Sequence, residues 1–217
     1  MMDIFSLPHT TIVDKFIPKK AFDSYSTSNQ KKLFTDKILR ITWSYKLSPA
    51  TVNLEAKDIK EIQIFKVELK IKEDIKTLLD IIDKAIPYSI IFIVEYGKHI
   101  YLSASVKHPH PLNEDNAVVD WTFRSDWFTP GTNKYKLNLK KSLDAVFQDF
   151  CTQLSEINHL SNKSFTSLIE QSKSIDSMKK EVLSLKTAIA KCRQFNQKVE
   201  LNIKLKSAES KLKKMLY

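Results

Sequence analysis

From Ser174 onward the apolar residues fall at alternating steps of three and four: Ile175, Met178, Val182, Leu185, Ile189, Cys192, then Val199 and Ile203. Such a stripe predicts a long helix that seeks a partner helix, because two positions per heptad suit a coiled-coil seam and are too few for an ordinary core helix. At 1.5 Å per residue, Ile175 to Ile203 spans about 43 Å. No Gly or Pro follows Gly131. Asn196 lies on the stripe between Cys192 and Val199, where a polar residue fixes register or partner number at some cost in stability. A second stripe, Leu201, Leu205, Ala208, Leu212 and Met215, is offset by two. Two geometries fit: a break near 194–202 into an antiparallel hairpin, or one helix that changes its buried face.

The preceding residues change period. Residues 1–27 read as an irregular lead-in. Ser28 is the expected N-cap of a helix to Lys37, with Leu33 and Phe34 inward. The β-branched and aromatic run Ile38–Leu47 reads as a strand, Ser48-Pro49-Ala50 as a turn and 51–54 as a short strand. Glu61–Lys70 alternates, but its register slips near Phe65, which fits a bulge or burial on both faces. Lys72–Ala85 is an amphipathic helix with Ile75, Leu78, Leu79 and Ile82 on one face. Tyr88–Glu95 is almost wholly apolar and therefore a central strand, and Ile100–Val106 returns beside it across a turn at Gly97. A loop over 108–116, a strand over 118–128 and a helix beginning at Ser142 complete the pattern. Trp121 and Trp127, six apart, share one side of a regular strand. The fold class is α+β: a mixed β-sheet domain with flanking helices over 1–155. A coiled-coil-like helix or helical hairpin follows over 156–217.

Charge alters this picture at one end. Of the net +10, the residues from Thr166 to Tyr217 carry +7, with twelve Lys/Arg against five Asp/Glu. Lys179, Lys180, Lys186, Lys191, Arg193 and Lys198 are candidate phosphate contacts for a nucleic acid, against the plainer reading of a solvated lysine-rich helix. No helix-turn-helix, zinc-finger or RNP-type string accompanies them, so sequence-specific readout is not expected. Ile175, Met178, Val182, Leu185, Ile189, Asn196, Val199 and Ile203 are the candidate partner-binding residues, against a helix folded back on its own chain. Acid-first i,i+4 pairs (Asp176–Lys180, Glu200–Lys204, Glu209–Lys213) support the helix by about 0.2–0.5 kcal/mol each.

Enzymatic signals are sparse. With two glycines in all, a phosphate-cradling loop is excluded, and GxxxxGK[ST], GxGxxG and GxSxG are absent. No cofactor is expected. Cys151 and Cys192 lie far apart without a CxxC, so zinc is not expected and a reducing cytoplasm is. His108, His110, Glu114 and Asp115 share a loop that reads as flexible, not as a metal site. No apolar run is long enough for a membrane span. Glu68-Leu69-Lys70 alone has a catalytic echo. PD-(D/E)xK nucleases set an Asp and an ExK on adjacent strands to hold a divalent ion and position water. The upstream acid on offer is Asp58, ten residues earlier in an expected loop.

Five strings in order resemble the bacterial DUF4391 family: Ile17-Pro18-Lys19-Lys20-Ala21-Phe22, Trp43 to Thr51, Glu61 to Phe65, Ile82 to Tyr88, and Gln194 to Asn202. Members of that family tend to be encoded beside helicase and DNA-methyltransferase genes, in loci resembling restriction-modification or phage-defence systems. The resemblance therefore implies a non-enzymatic accessory subunit whose partner is the helicase or methyltransferase, and the apolar C-terminal arm adds homo- or hetero-oligomeric docking. It implies no catalytic residue. The alternatives are an active or degenerate nuclease centred on Glu68 and Lys70, and a free-standing nucleic-acid-binding module.

Overall fold

Strands β3 (Ile62–Leu69) and β4 (Ser89–Tyr96) lie side by side, parallel and in unbroken register from Ile62↔Ser89 to Glu68↔Glu95. Parallel neighbours need a crossover, supplied here by helix α3 (Lys76–Ala85). The computed structural model describes residues 4–155, 157 and 164–216, and of Glu114 and Asp115 the backbone alone. The sheet runs β1-β2-β3-β4-β5-β6, with β1 (Ile12–Phe16), β2 (Ile38–Leu47), β5 (His99–His110) and β6 (Asn113–Arg124) antiparallel to their neighbours.

Both faces of the central strands are covered, which is why β4 is apolar from Ile90 to Val94 and β3 buries residues of both parities. On one face Phe65, Val67, Leu69, Phe92 and Val94 meet Leu78, Leu79 and Ile82 of α3. Phe34 of α1 (Ser28–Lys37) joins them. Residues of the opposite parity, Ile62, Ile64, Ile91, Leu102 and Ala104, are fully buried as well. The apolar stripe of α4 (Leu143–Ser155), namely Leu143, Val146, Phe147, Phe150 and Cys151, is buried too, outside the first cluster. The Asp144 carboxylate accepts the backbone N–H groups of Lys57, Asp58 and Ile59 at 2.9–3.0 Å, tying α4 to the entry of β3. Burial would raise that carboxyl, but the three N–H donors outweigh it and hold Asp144 below the usual range.

A buried ion pair locks the crossover. Lys107 of β5 and Asp83 of α3 are 2% and 1% exposed at their side chains. The Lys107 ammonium donates to Asp83 Oδ1 (3.1 Å) and to the carbonyls of Asp83 and Ile86 (2.8 Å each). Ser105 Oγ donates to Asp83 Oδ2 at 2.6 Å. All three ammonium protons are thus placed, two of them on carbonyls that the helix end leaves without an intrahelical partner. Burial pushes the Asp83 carboxyl up and the Lys107 ammonium down, and the attraction between them opposes both shifts.

The α+β class and the mixed sheet hold, with several local corrections. The cap of α1 is Thr27, not Ser28: its Oγ1 accepts from Gln30 N–H while Gln30 Oε1 accepts from Thr27 N–H. Residues 51–54 are not strand: Thr51 and Val52 close a single helical turn, α2 (Pro49–Val52), opened by Pro at its first position and by the Ser48–Thr51 box. Helix α3 starts at Lys76 and not at Lys72. Of the two causes expected for the slip near Phe65, burial of β3 on both faces is the one present; the bulge lies in the facing strand β2, between Trp43 and Tyr45. The stretch 108–116 is largely strand, with β5 and β6 turning tightly at Pro111-Leu112, and the lead-in holds strand β1. β6 ends at Arg124, so Trp121 and Trp127 do not share one strand.

Lys107→Met leaves the Asp83 carboxylate buried without its cation. It is expected to cost about 3–5 kcal/mol, more than the double replacement Lys107→Met with Asp83→Leu, in urea denaturation. A loss under about 1 kcal/mol for the single variant would show that the crossover is held by other contacts.

Candidate functional site

The chain divides into two compact units, the first reaching Leu154 and the second beginning at Ser155. The second is a helical hairpin of α5 (Phe165–Lys191) and α6 (Phe195–Leu216). Ser164 caps α5, its Oγ accepting from Ser167 N–H at 3.3 Å. Cys192 leaves the helical region (φ −75°, ψ 125°), and Gln194 accepts from Lys198 N–H to begin α6. No Gly or Pro makes the break. The two stripes do: offset by two residues, they would face different ways on one continuous helix and can meet only if the chain reverses.

The seam is therefore closed within the hairpin. Ile175 and Val182 are buried, and Met178, Leu185 and Ile189 half-buried, on α5. On α6 Ala208 is buried, and Leu201, Leu205, Leu212 and Met215 are half-buried. Lys186 bridges to Glu209 across the pair at 2.9 Å. Glu209 thus pairs between helices and not with Lys213, whereas Asp176–Lys180 closes along α5 at 2.8 Å as expected. Of the eight residues assigned to partner binding, five lie in this internal seam. Asn196, Val199 and Ile203 lie outside it and are exposed.

Phe195, which the stripe did not include, stands one turn before Val199 and two before Ile203. These three side chains form a ridge on the outer face of α6, exposed by 79%, 43% and 64% respectively. The spacing i, i+4, i+8 was visible in the sequence, but a seam through Cys192 and Asn196 competed with it. All six candidate phosphate contacts, Lys179, Lys180, Lys186, Lys191, Arg193 and Lys198, are exposed. Lys180 and Lys186 are in ion pairs. Lys179, Lys191, Arg193 and Lys198 have no carboxylate partner among the described residues.

The Glu68 triplet is arranged differently from its expected chemistry. Glu68 is the penultimate residue of β3, whereas Asp58 precedes its start, so the two are separated by roughly 20 Å of strand. Lys70 donates to the Thr35 carbonyl at 2.7 Å. The neighbour of Glu68 across the parallel register is Glu95. Lys66 stands between the carboxylates, 2.8 Å from Glu95 and 4.0 Å from Glu68. Glu95 was hidden as the last residue of an apolar strand. His108 pairs with Asp120 at 3.0 Å, and His110 Nδ1 accepts from Leu112 N–H. The side chains of Glu114 and Asp115 lie outside the described residues. Cys151 is wholly buried, its thiol pushed up by burial. Trp127 packs edge-on against Tyr101 at 4.7 Å with Lys72 over its ring. No described helix is long and apolar enough to cross a membrane.

The two faces of the hairpin separate by substitution. Val182→Ala removes two buried carbons and is expected to cost about 1.5 kcal/mol at 0.8 kcal/mol per carbon. Ile203→Ala is expected to stay within about 0.5 kcal/mol. Hydrogen exchange of the α5 and α6 amides reads both, and equal losses would contradict an internal seam.

No curated protein and no solved structure matches the chain. One family model does, over residues 5–212, and so takes in the sheet domain together with most of the hairpin. The chain belongs to the family described as a domain of unknown function, DUF4391.

Proposed function

We propose that this chain is a cytoplasmic, non-enzymatic interaction subunit that works beside DNA-processing enzymes, its hairpin serving as the docking element and lying near DNA. One observation carries this reading. The hairpin closes its own seam and still keeps on its outer surface an apolar ridge and four cations unpaired among the described residues. A helix pair that served only to pack would not need to leave Phe195 and Ile203 in water. A polyanion is the natural neighbour of cations that have no carboxylate of their own. The resemblance that places family members beside helicase and DNA-methyltransferase genes supports such an enzyme as the partner. It also supports a restriction-modification or phage-defence setting, with homo- or hetero-oligomeric assembly.

Co-expression with the adjacent genes and native mass measurement test the docking. A stoichiometric complex is expected from the full chain and is expected to disappear when residues 166–217 are removed. A lone species in both cases sinks the proposal. For duplex DNA, replacing Lys179, Lys191, Arg193 and Lys198 by Ala is expected to flatten the salt dependence by about 0.9 for each phosphate no longer neutralised. An unchanged slope removes DNA from the reading.

A second reading, a nuclease-like centre, is favoured by the placement of Glu68 and Glu95 side by side at the carboxyl ends of two parallel strands. Its residues would then be Glu68, Glu95 and Lys66, not Asp58 and Lys70. Mg²⁺-dependent DNA cleavage that Glu68→Ala abolishes is the expected result under that reading, and absence of cleavage from the co-expressed complex rejects it.

A further inference from the structure

The outer face of α6 has a composition that constrains what can cover it. Phe195, Val199 and Ile203 form one straight ridge about 12 Å long at 1.5 Å per residue. Near it in sequence, between Lys191 and Lys206, are five cations and a single anion: Lys191, Arg193, Lys198, Lys204 and Lys206 against Glu200; at about 100° per residue Lys198 and Lys206 share the ridge's side of α6, whereas Lys204 does not. All six are exposed, and none forms an ion pair among the described residues. Phe195 is the most exposed of the three apolar residues, and an aromatic ring of that exposure is the side chain best able to anchor an interface.

We propose that the Phe195–Val199–Ile203 ridge docks an amphipathic helix of a partner protein whose apolar stripe is flanked by Asp and Glu. The proposal rests on the hairpin being the docking element and specifies which of its faces docks and what it recognises. A ridge with i, i+4, i+8 spacing fits the groove beside the corresponding row of another helix. Lys198 and Lys206, on its side of α6, meet carboxylates there and reject a basic or neutral helix, which leaves Lys179, Lys191 and Arg193 for a polyanion. A second copy of this chain is a poor occupant, because it would set Lys198 and Lys206 against the same two cations. Phosphates satisfy the cations but bring no apolar atoms to cover Ile203 and Val199.

The test uses the full-length chain and fluorescence anisotropy with two 21-residue helical peptides. Both carry leucine at the a and d positions, one with glutamate at e and g and the other with lysine there. A 20-nucleotide single strand and vesicles containing anionic lipid are run in parallel. The glutamate peptide is expected to bind and its lysine twin not. Phe195→Asp and Ile203→Asp are each expected to weaken binding at least tenfold, and Lys198→Glu with Lys206→Glu several-fold, with unchanged thermal melts because all four side chains are exposed. No binding of either peptide, equal binding of both, or binding that survives the ridge substitutions overturns the proposal. So does a ridge substitution that instead abolishes binding to the single strand or the vesicles. The two levels stay separable. A co-expressed complex that needs residues 166–217 but tolerates Phe195→Asp defeats this inference alone. A complex that never forms defeats the docking function with it.

Discussion

One ammonium group, that of Lys107, holds the crossover on which the sheet depends. Parallel strands β3 and β4 cannot be joined by a tight turn, so ten residues of α3 must lie back across one face and stay there. Apolar contact gives α3 its place on the sheet but little to fix its angle. Lys107 supplies direction, because it reaches from β5 to two carbonyls at the end of α3 and to Asp83 within it. Leaving such a charge pair half-made is far costlier than never having it. The interaction therefore restricts alternatives more than it adds net stability. Asp144 does similar work beside the start of β3, gathering three backbone donors from the segment that leads into the strand.

The hairpin follows a different logic. Its helices meet through a narrow stripe of small and medium side chains, with Ala208 of α6 covered most completely. The cross-helix ion pair between half-exposed groups, Lys186–Glu209, adds little, since exposed pairs contribute about 0–1 kcal/mol. Such a pair of helices keeps its register through the pattern of its apolar residues. The offset between the two stripes is what makes the chain turn back at Cys192.

Much of this was legible where a pattern had only one structural meaning. The apolar runs of β3 and β4, the stripe of α3 and the long α5 stripe each repeat with a period that excludes the alternatives. Legibility failed where local chemistry outweighed period. Thr51 and Val52 favour strands by propensity, yet Pro49 and the Ser48–Thr51 hydrogen bonds close a helical turn there. Pro109 and Pro111 suggested a loop. The stretch around Pro109 pairs with β6 beyond the part of β5 that meets β4, and a residue lacking N–H is tolerated where one edge is free. Lys107 and Asp83 could not be paired from sequence, being a lysine in a strand and an aspartate in a helix, with a sequence separation of 24. The nearness of Glu68 to Glu95 depends likewise on parallel register, which no local spacing encodes.

The candidate surface illustrates a subtler failure. Ile175 to Ile203 reads as one seam because heptad spacing continues across the turn, but spacing says nothing about whether the helix does. Once the chain reverses, the early members of the stripe face inward and the late members face out, so one apolar pattern divides between cohesion and exposure. The residues left outside have no structural use within the hairpin, since the offset stripe of α6 already fills the seam. Their apolar character is then a property of the surface, flanked on α6 by Lys198 and Lys206. A solvated helix face gains nothing from Phe at a position 79% exposed. A face that must be covered gains from burying it, and the charge around it determines what the cover has to carry.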